Sequence, residues 1–160
     1  MIYTIGHSNH AIEYFIDLLK SFEINMLVEV RSLPKSNFSP HFNKRNLMIE
    51  LYKNNIKYID MGKSLGGRPD DKSVLNYLGK IEFDKIEKRK WYEDSIESLI
   101  DLAKLNKIAI MCSEENPAEC HRGYIITRSL INKGVEVIHI RGDKSYKKAS
   151  FIVKQEVLPL

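Results

Sequence analysis

The stretch "KIAIMCSEENPAECHRGYIITRSLINKGVEVIHIR", residues 107–141, decides the fold. It opens on one apolar, β-rich run, KIAIMCS (107–113), and closes on another, VEVIHIR (135–141), with a segment of helical length between them. Two short apolar runs joined in this way read as a βαβ unit, because parallel neighbours need a long crossover where antiparallel ones need only a turn. The ends of the intervening helix are legible. Asn116 can cap it, Pro117 suits its first turn, Glu119 completes a capping-box pattern and Gly134 suits its stop.

The same rhythm runs through the rest of the chain. IYTIGH (2–7) reads as the first strand, and Ile12, Phe15, Ile16, Leu19 and Phe22 recur at helical spacing over 11–22. MLVEVR (26–31) is the second strand. A loop with Pro34 and Pro40 follows, then a helix over 43–55 through Leu47, Met48, Leu51 and Tyr52, then KYIDM (57–61) as the third strand. A longer insertion runs from GKSLGGRPDD to the charge run KIEKRKWYED, which reads as a solvated helix face. Ile96, Leu99, Ile100 and Ala103 then mark an amphipathic helix, and the last stretch, DKSYKKASFIVKQEVLPL, has weak helical character. The expectation is a single α/β domain over residues 1–160. It has a mostly parallel five-stranded sheet flanked by helices, Rossmann-like or a related three-layer sandwich.

Composition bounds the function classes. The 160 residues are 43% hydrophobic and 29% charged, with 8 Gly and 5 Pro, an ordinary globular balance that excludes disorder and fibrous repeats. MIYTIGHSNH lacks a basic segment leading into an apolar run, and no apolar stretch reaches membrane-spanning length. These features predict a cytoplasmic protein without a membrane partner, whose two cysteines are reduced. The net charge of +4 permits an anionic partner and does not require one.

In an open parallel sheet the loops at the carboxyl ends of the strands share one edge, where ligands bind. Here those exits carry His7 and Ser8, Arg31 and Ser32, the Leu65-Gly66-Gly67 loop, Cys112-Ser113-Glu114, and Arg141. A helix start offers free N–H groups, so it can hold an anion and lower the pKa of Cys120. Arg31 and Arg122 offer forked donors for phosphate or carboxylate oxygens; His7 and His121 can move protons; Glu114 can orient an imidazole or act as a base. Each residue also has a plain structural reading. Cys112 fits as a small core residue, Arg31 can pair with Glu29 or Glu114, Arg122 can face solvent, His7 can bond a loop, and Gly66 and Gly67 can form a turn.

Motif searches narrow the field by failing. G-x-x-x-x-G-K-[ST], G-x-G-x-x-G and G-x-S-x-G are absent, and Arg122 stands at the wrong distance from either cysteine for a tyrosine-phosphatase-like loop. No cofactor is implied. Cys112, Cys120, His121 and His7 can be imagined around a metal, but without C-x-x-C or H-E-x-x-H spacing no metal is assigned.

Four ordered motifs carry a family resemblance: Thr4 to Ser8 (TIGHS); Glu29-Val30-Arg31 with a loop of Pro34, Ser36, Pro40 and Phe42; Leu65 to Gly67; and Cys112 to Arg122. Together they resemble the domain of unknown function 488 family, uncharacterised bacterial and archaeal proteins. The resemblance implies a compact α/β fold and one shared site built from these motifs, and it supplies no reaction. Two positions depart from the family pattern: Glu29 stands where Asp is usual, and Ser113 where Ala is usual.

Three functions stay open. The first is a thiol-dependent enzyme on a phosphate-bearing or nucleic-acid substrate. Cys112, Cys120, His121, His7 and Glu114 would be its catalytic set, and Ser8, Arg31, Pro34, Ser36, Phe42, Gly66, Gly67 and Arg122 would bind substrate. The second is a non-catalytic nucleotide or nucleic-acid binding module, with basic residues in 35–57 and 143–154 and Tyr52, Tyr58 and Tyr146 as its surface. The third is a thiol-redox protein.

Overall fold

Six strands form one sheet in the order β3-β2-β4-β1-β5-β6. They are β1 (Ile2–Gly6), β2 (Met26–Glu29), β3 (Lys57–Asp60), β4 (Ile108–Cys112), β5 (Val137–Ile140) and β6 (Tyr146–Lys148). The first five are parallel, and the computed structural model describes residues 1–150. The helices are α1 (Ile12–Ser21), α2 (Lys44–Lys53), the single turns α3 (Gly62–Leu65) and α4 (Phe83–Ile86), α5 (Lys90–Leu105) and α6 (Thr127–Asn132). None of them is long and apolar enough to cross a membrane.

Two cores, one on each face of the sheet, give the three layers. α1 and α2 deliver Phe15, Leu18, Leu19, Leu47 and Leu51 onto Ile5, Leu27, Ala109, Met111 and Ile140. On the other face Tyr92, Ile96 and Leu99 of α5 and Leu130 of α6 cover Ile2, Val28, Ile108, Ile110 and Val137. A strand covered on both faces must be apolar at every position, which is why β4 reads as an unbroken run and is buried throughout. Each such side chain contributes about 1.5–3 kcal/mol on burial.

The structure corrects the sequence reading in four places. The sheet has a sixth strand where weak helix was expected: β6 pairs antiparallel with β5, His139 opposite Lys147. All three of its residues are exposed, so it has no buried face to print a period-2 pattern, and its lysines suit an edge. On α2 only Leu47 and Leu51 are buried; Met48 and Tyr52 face outward. Within the charge run, Ile86 and Tyr92 belong to the core while Lys85, Glu87 and Lys88 are exposed.

The fourth correction is to the crossover between β4 and β5. Asn116 does act as a cap, but of a separate 3-10 turn, Pro117–Glu119, where its Oδ1 accepts from the Ala118 N–H at 3.1 Å. Glu119 receives the Asn116 side-chain amide rather than its backbone N–H. Cys120 is then extended (φ −129°, ψ 141°), and the helix proper starts with a wide π-turn, Arg122–Ile126, before α6. Gly123 makes this possible: a Cβ there would lie 1.8 Å from the Pro117 carbonyl oxygen.

Candidate functional site

The central strands β2, β4 and β1 end side by side, with Gly6 in register with Cys112 and Glu29 with Met111. Pairing continues past the strand ends. The His7 N–H donates to the Cys112 carbonyl at 3.0 Å, and the Ser8 N–H to that of Ser113 at 2.8 Å. Arg31, Cys112 and His7 therefore leave the sheet within one row. Strand alternation then sends them to opposite faces. Glu29 and Arg31 follow Leu27 toward the α1/α2 side, while Cys112 follows Ile108 and Ile110 toward α5.

On the α1/α2 side Arg31 is locked. Its Nε and Nη2 donate to the two Glu29 carboxylate oxygens at 2.7 and 2.6 Å, Nη2 also donates to the Phe42 carbonyl at 2.8 Å, and Nη1 meets His7 Nε2 at 3.1 Å. Four of the five guanidinium N–H groups are thereby used, leaving one on Nη1. His7 is equally committed. Its Nδ1–H donates to the Ser8 carbonyl at 2.7 Å, Nε2 accepts from Arg31, and the ring stacks on Phe42 at 4.4 Å between centroids. Burial, with Arg31 adding to it, pulls the His7 pKa down to about 4, so the ring is neutral at pH 7. The Tyr58 hydroxyl completes the shell by donating to Glu29 at 3.1 Å.

On the α5 side the two cysteines converge on one imidazole. Cys112 Sγ and Cys120 Sγ each lie 3.9 Å from His121 Nδ1, and the three atoms lie within 4.8 Å of one another, all buried. His121 Nε2 stands 3.0 Å from the Val30 carbonyl oxygen. A carbonyl only accepts, so Nε2 carries the proton and the Nδ1 lone pair faces the sulfurs. The thiols split in behaviour. Cys120 is drawn below the ordinary thiol range, because Cys112 donates its hydrogen to it and His121 and Arg122 stand close; the same bond, with burial, pushes Cys112 up. Burial works to raise Glu114, but its own backbone N–H, the two thiols and His121 outweigh it and hold the carboxyl below its usual value.

Between the clusters opens a cleft of about 280 Å³, lined among others by Arg31, Lys35, Arg68, Cys112, Glu114 and His121. Lys35 and Arg68 are exposed, and neither has a carboxylate partner among the described residues. Gly66 and Gly67 shape the wall. A Cβ at Gly66 would strike Ser32 Oγ at 2.1 Å, and one at Gly67 would stand 3.0 Å from His121 Nδ1. Their lack of side chains brings Arg68 to the rim, where its N–H donates to Ser32 Oγ at 2.9 Å.

The remaining expected site residues stand away from this cleft. Arg122 is fully buried. Its Nη1 and Nη2 donate to the carbonyls of Glu114 and Glu115 at 2.7 and 3.0 Å, so it holds the loop after β4 rather than facing solvent or a ligand. Ser8 turns its hydroxyl to Asn9. Ser36 Oγ accepts from the Phe38 and Ser39 N–H groups, and Phe42 is core beneath His7 and Arg31. Pro34 lines a neighbouring depression with Asp60, Lys63 and Asp70. At the fifth exit Arg141 pairs with Glu115, well off the cleft. Sequence reasoning counted Lys35 only among the basic residues of 35–57 and passed over Arg68, although each adjoins a motif it had singled out: Lys35 follows Pro34, and Arg68 follows Gly67.

A family model, "Domain of unknown function DUF488", matches residues 11–129. The chain belongs to the DUF488 family. The matched span takes in Arg31, the loop from Pro34 to Phe42, Gly66 and Gly67, and Cys112 to Arg122, and it begins after His7 and Ser8. No curated protein and no solved structure matches the chain. Within the DUF488 motif set the geometry separates two jobs: the β2 motif and its loop build a locked ion-pair scaffold, and the Cys112–Arg122 motif builds the sulfur cluster.

Proposed function

We propose that the cleft binds an anionic, phosphate-bearing small molecule or nucleotide, and that the thiol, imidazole and carboxylate groups at its floor act on it chemically. One observation supports this reading: Lys35 and Arg68, exposed and without carboxylate partners among the described residues, line the same cleft as Arg31, Cys112, Glu114 and His121. Forked and mobile cations on a concave rim suit phosphate oxygens. Reactive groups gathered on that floor favour an enzyme over a passive binding module. An extended nucleic-acid surface has less support. Tyr52 stands on α2, Tyr58 on the β3 edge of the sheet and Tyr146 on the β6 edge, Tyr58 is tied to Glu29, and the part of the 143–154 segment beyond 150 lies outside the described residues.

Thermal unfolding with inorganic phosphate, nucleoside monophosphates and nucleoside diphosphates tests the cleft. A ligand at a hundredfold over its Kd stabilises by about 2.7 kcal/mol, a rise of roughly 5–10 °C for a chain of this size. The rise disappears in Lys35→Ala/Arg68→Ala. If no anion, phosphate included, stabilises the wild-type chain, the reading is wrong.

A further inference from the structure

We infer that Cys112, Cys120 and His121 form a zinc-binding site whose fourth position opens into the cleft. Zinc bound to sulfur at about 2.3 Å and to imidazole nitrogen at about 2.0–2.1 Å, at tetrahedral corners, sets neighbouring donor atoms about 3.6–3.8 Å apart. The two sulfurs stand 3.9 Å from Nδ1 and all three atoms lie within 4.8 Å of one another, so side-chain adjustments of at most about 1 Å bring them to the spacing an ion requires. The imidazole is already prepared. The Val30 carbonyl takes the Nε2 proton, which fixes the tautomer and aims a lone pair at the sulfurs, the second-sphere arrangement that metal-bound histidines require. Cys112 and Cys120 are free thiols.

The sequence offered these residues without a recognisable ligand spacing because the donors come from two structures. Cys112 ends β4, and Cys120 and His121 straddle the break before the π-turn, eight and nine residues later. Gly67 keeps the exposed side clear, since a side chain there would crowd Nδ1.

On binding, Zn²⁺ takes the place of the hydrogen shared between the two sulfurs, which leaves to solvent, and His121 gives its Nδ1 lone pair. Three protein donors leave a fourth position for water. Cys112 and His121 both line the cleft, so that position faces it. The metal site stands on its own donors; assigning its open position to a phosphate-bearing substrate rests on the reading of the cleft given above.

The full chain, purified without chelator and analysed for metals, is expected to carry one equivalent of zinc. After chelation, Co²⁺ alone is expected to give a thiolate charge-transfer band and the intense visible bands of a tetrahedral site. Cys112→Ser, Cys120→Ser and His121→Ala lose the metal to background, whereas Lys35→Ala/Arg68→Ala retains it. Circular dichroism of each variant identifies any that fail to fold. The chelated wild-type chain keeps the test decisive, because its thiols react with a disulfide reagent freely before Zn²⁺ is added and are protected after. A folded wild-type chain that binds neither Zn²⁺ nor Co²⁺, or binds them equally well in Cys112→Ser/Cys120→Ser, overturns the inference. Metal binding without any stabilisation by phosphate overturns the anion reading alone and upholds the site.

Discussion

Replacing Glu29 with Leu isolates the energetic weight of the buried ion pair. Glu29 has no exposed surface and Arg31 is 4% exposed, so the substitution strands a guanidinium in the core with its Nε donor, one Nη2 bond and its backbone N–H partner gone. Breaking one side of a buried pair costs about 3–5 kcal/mol, and the orphaned Tyr58 hydroxyl adds about 1 kcal/mol. The expected fall in Tm is roughly 8–24 °C. Glu29→Leu/Arg31→Met removes both charges together. What then remains is the loss of Glu29 from the Tyr58 hydroxyl and the residue-31 N–H and of Arg31 from the Phe42 carbonyl and His7 Nε2, with no charge left stranded, so the double variant is expected to be more stable than Glu29→Leu. Urea unfolding followed by circular dichroism and by the fluorescence of Trp91 measures both, provided the m-value is unchanged. A single variant that costs less than about 1 kcal/mol, or a double variant no more stable than the single, refutes the claim that Arg31 is a locked scaffold residue. Glu29→Asp keeps the charge but withdraws the carboxylate by one methylene, and is expected to fall between wild type and Glu29→Leu.

Two further outcomes follow from the packing around the site. Gly6→Ala would place a Cβ 1.8 Å from the Glu114 carbonyl oxygen and 2.8 Å from Glu115 Cα, backbone atoms that cannot swing aside, so the loop held by Arg122 must move. Urea unfolding should show a cost of at least about 1–3 kcal/mol, and a neutral result would mean that the loop is not held. His139 is buried behind β6, its Nδ1 2.8 Å from Thr4 Oγ1; burial, then Arg122, Arg141 and Lys147, lower its pKa from 6.5 to about 4. Below pH 6.5 the unfolded chain gains a proton that the folded chain refuses until about pH 4, so stability falls across that window, by up to about 3 kcal/mol from this residue. His139→Gln should flatten that acid limb, and an unchanged slope in pH-dependent urea titrations would contradict the assignment.

The alternation of apolar runs with helical spacing was enough to place five strands and the main helices, because each element buries a continuous face and burial imprints a period on the residues. The ordering of strand exits likewise brought Arg31, Cys112 and His121 to one rim. β6 was illegible for the converse reason: a three-residue edge strand that buries nothing leaves no imprint. Nor could the sequence say how a polar residue at a strand end is spent. Arg31 and Arg122 look alike on paper as anion clamps. Tertiary packing commits the first to Glu29, His7 and Phe42 and buries the second against two loop carbonyls, leaving Lys35 and Arg68 as the cations facing the cleft.

Sequence alone therefore determined the layers and the edge at which chemistry gathers, since both depend on local periodicity and chain direction. Which face each side chain takes at that edge, and which partner satisfies it, depended on strand register and on the break at Cys120. That break turns three residues with no recognisable spacing into one cluster of two sulfurs and a nitrogen. Contacts between segments distant in the chain leave no period in it, so only the folded molecule shows them.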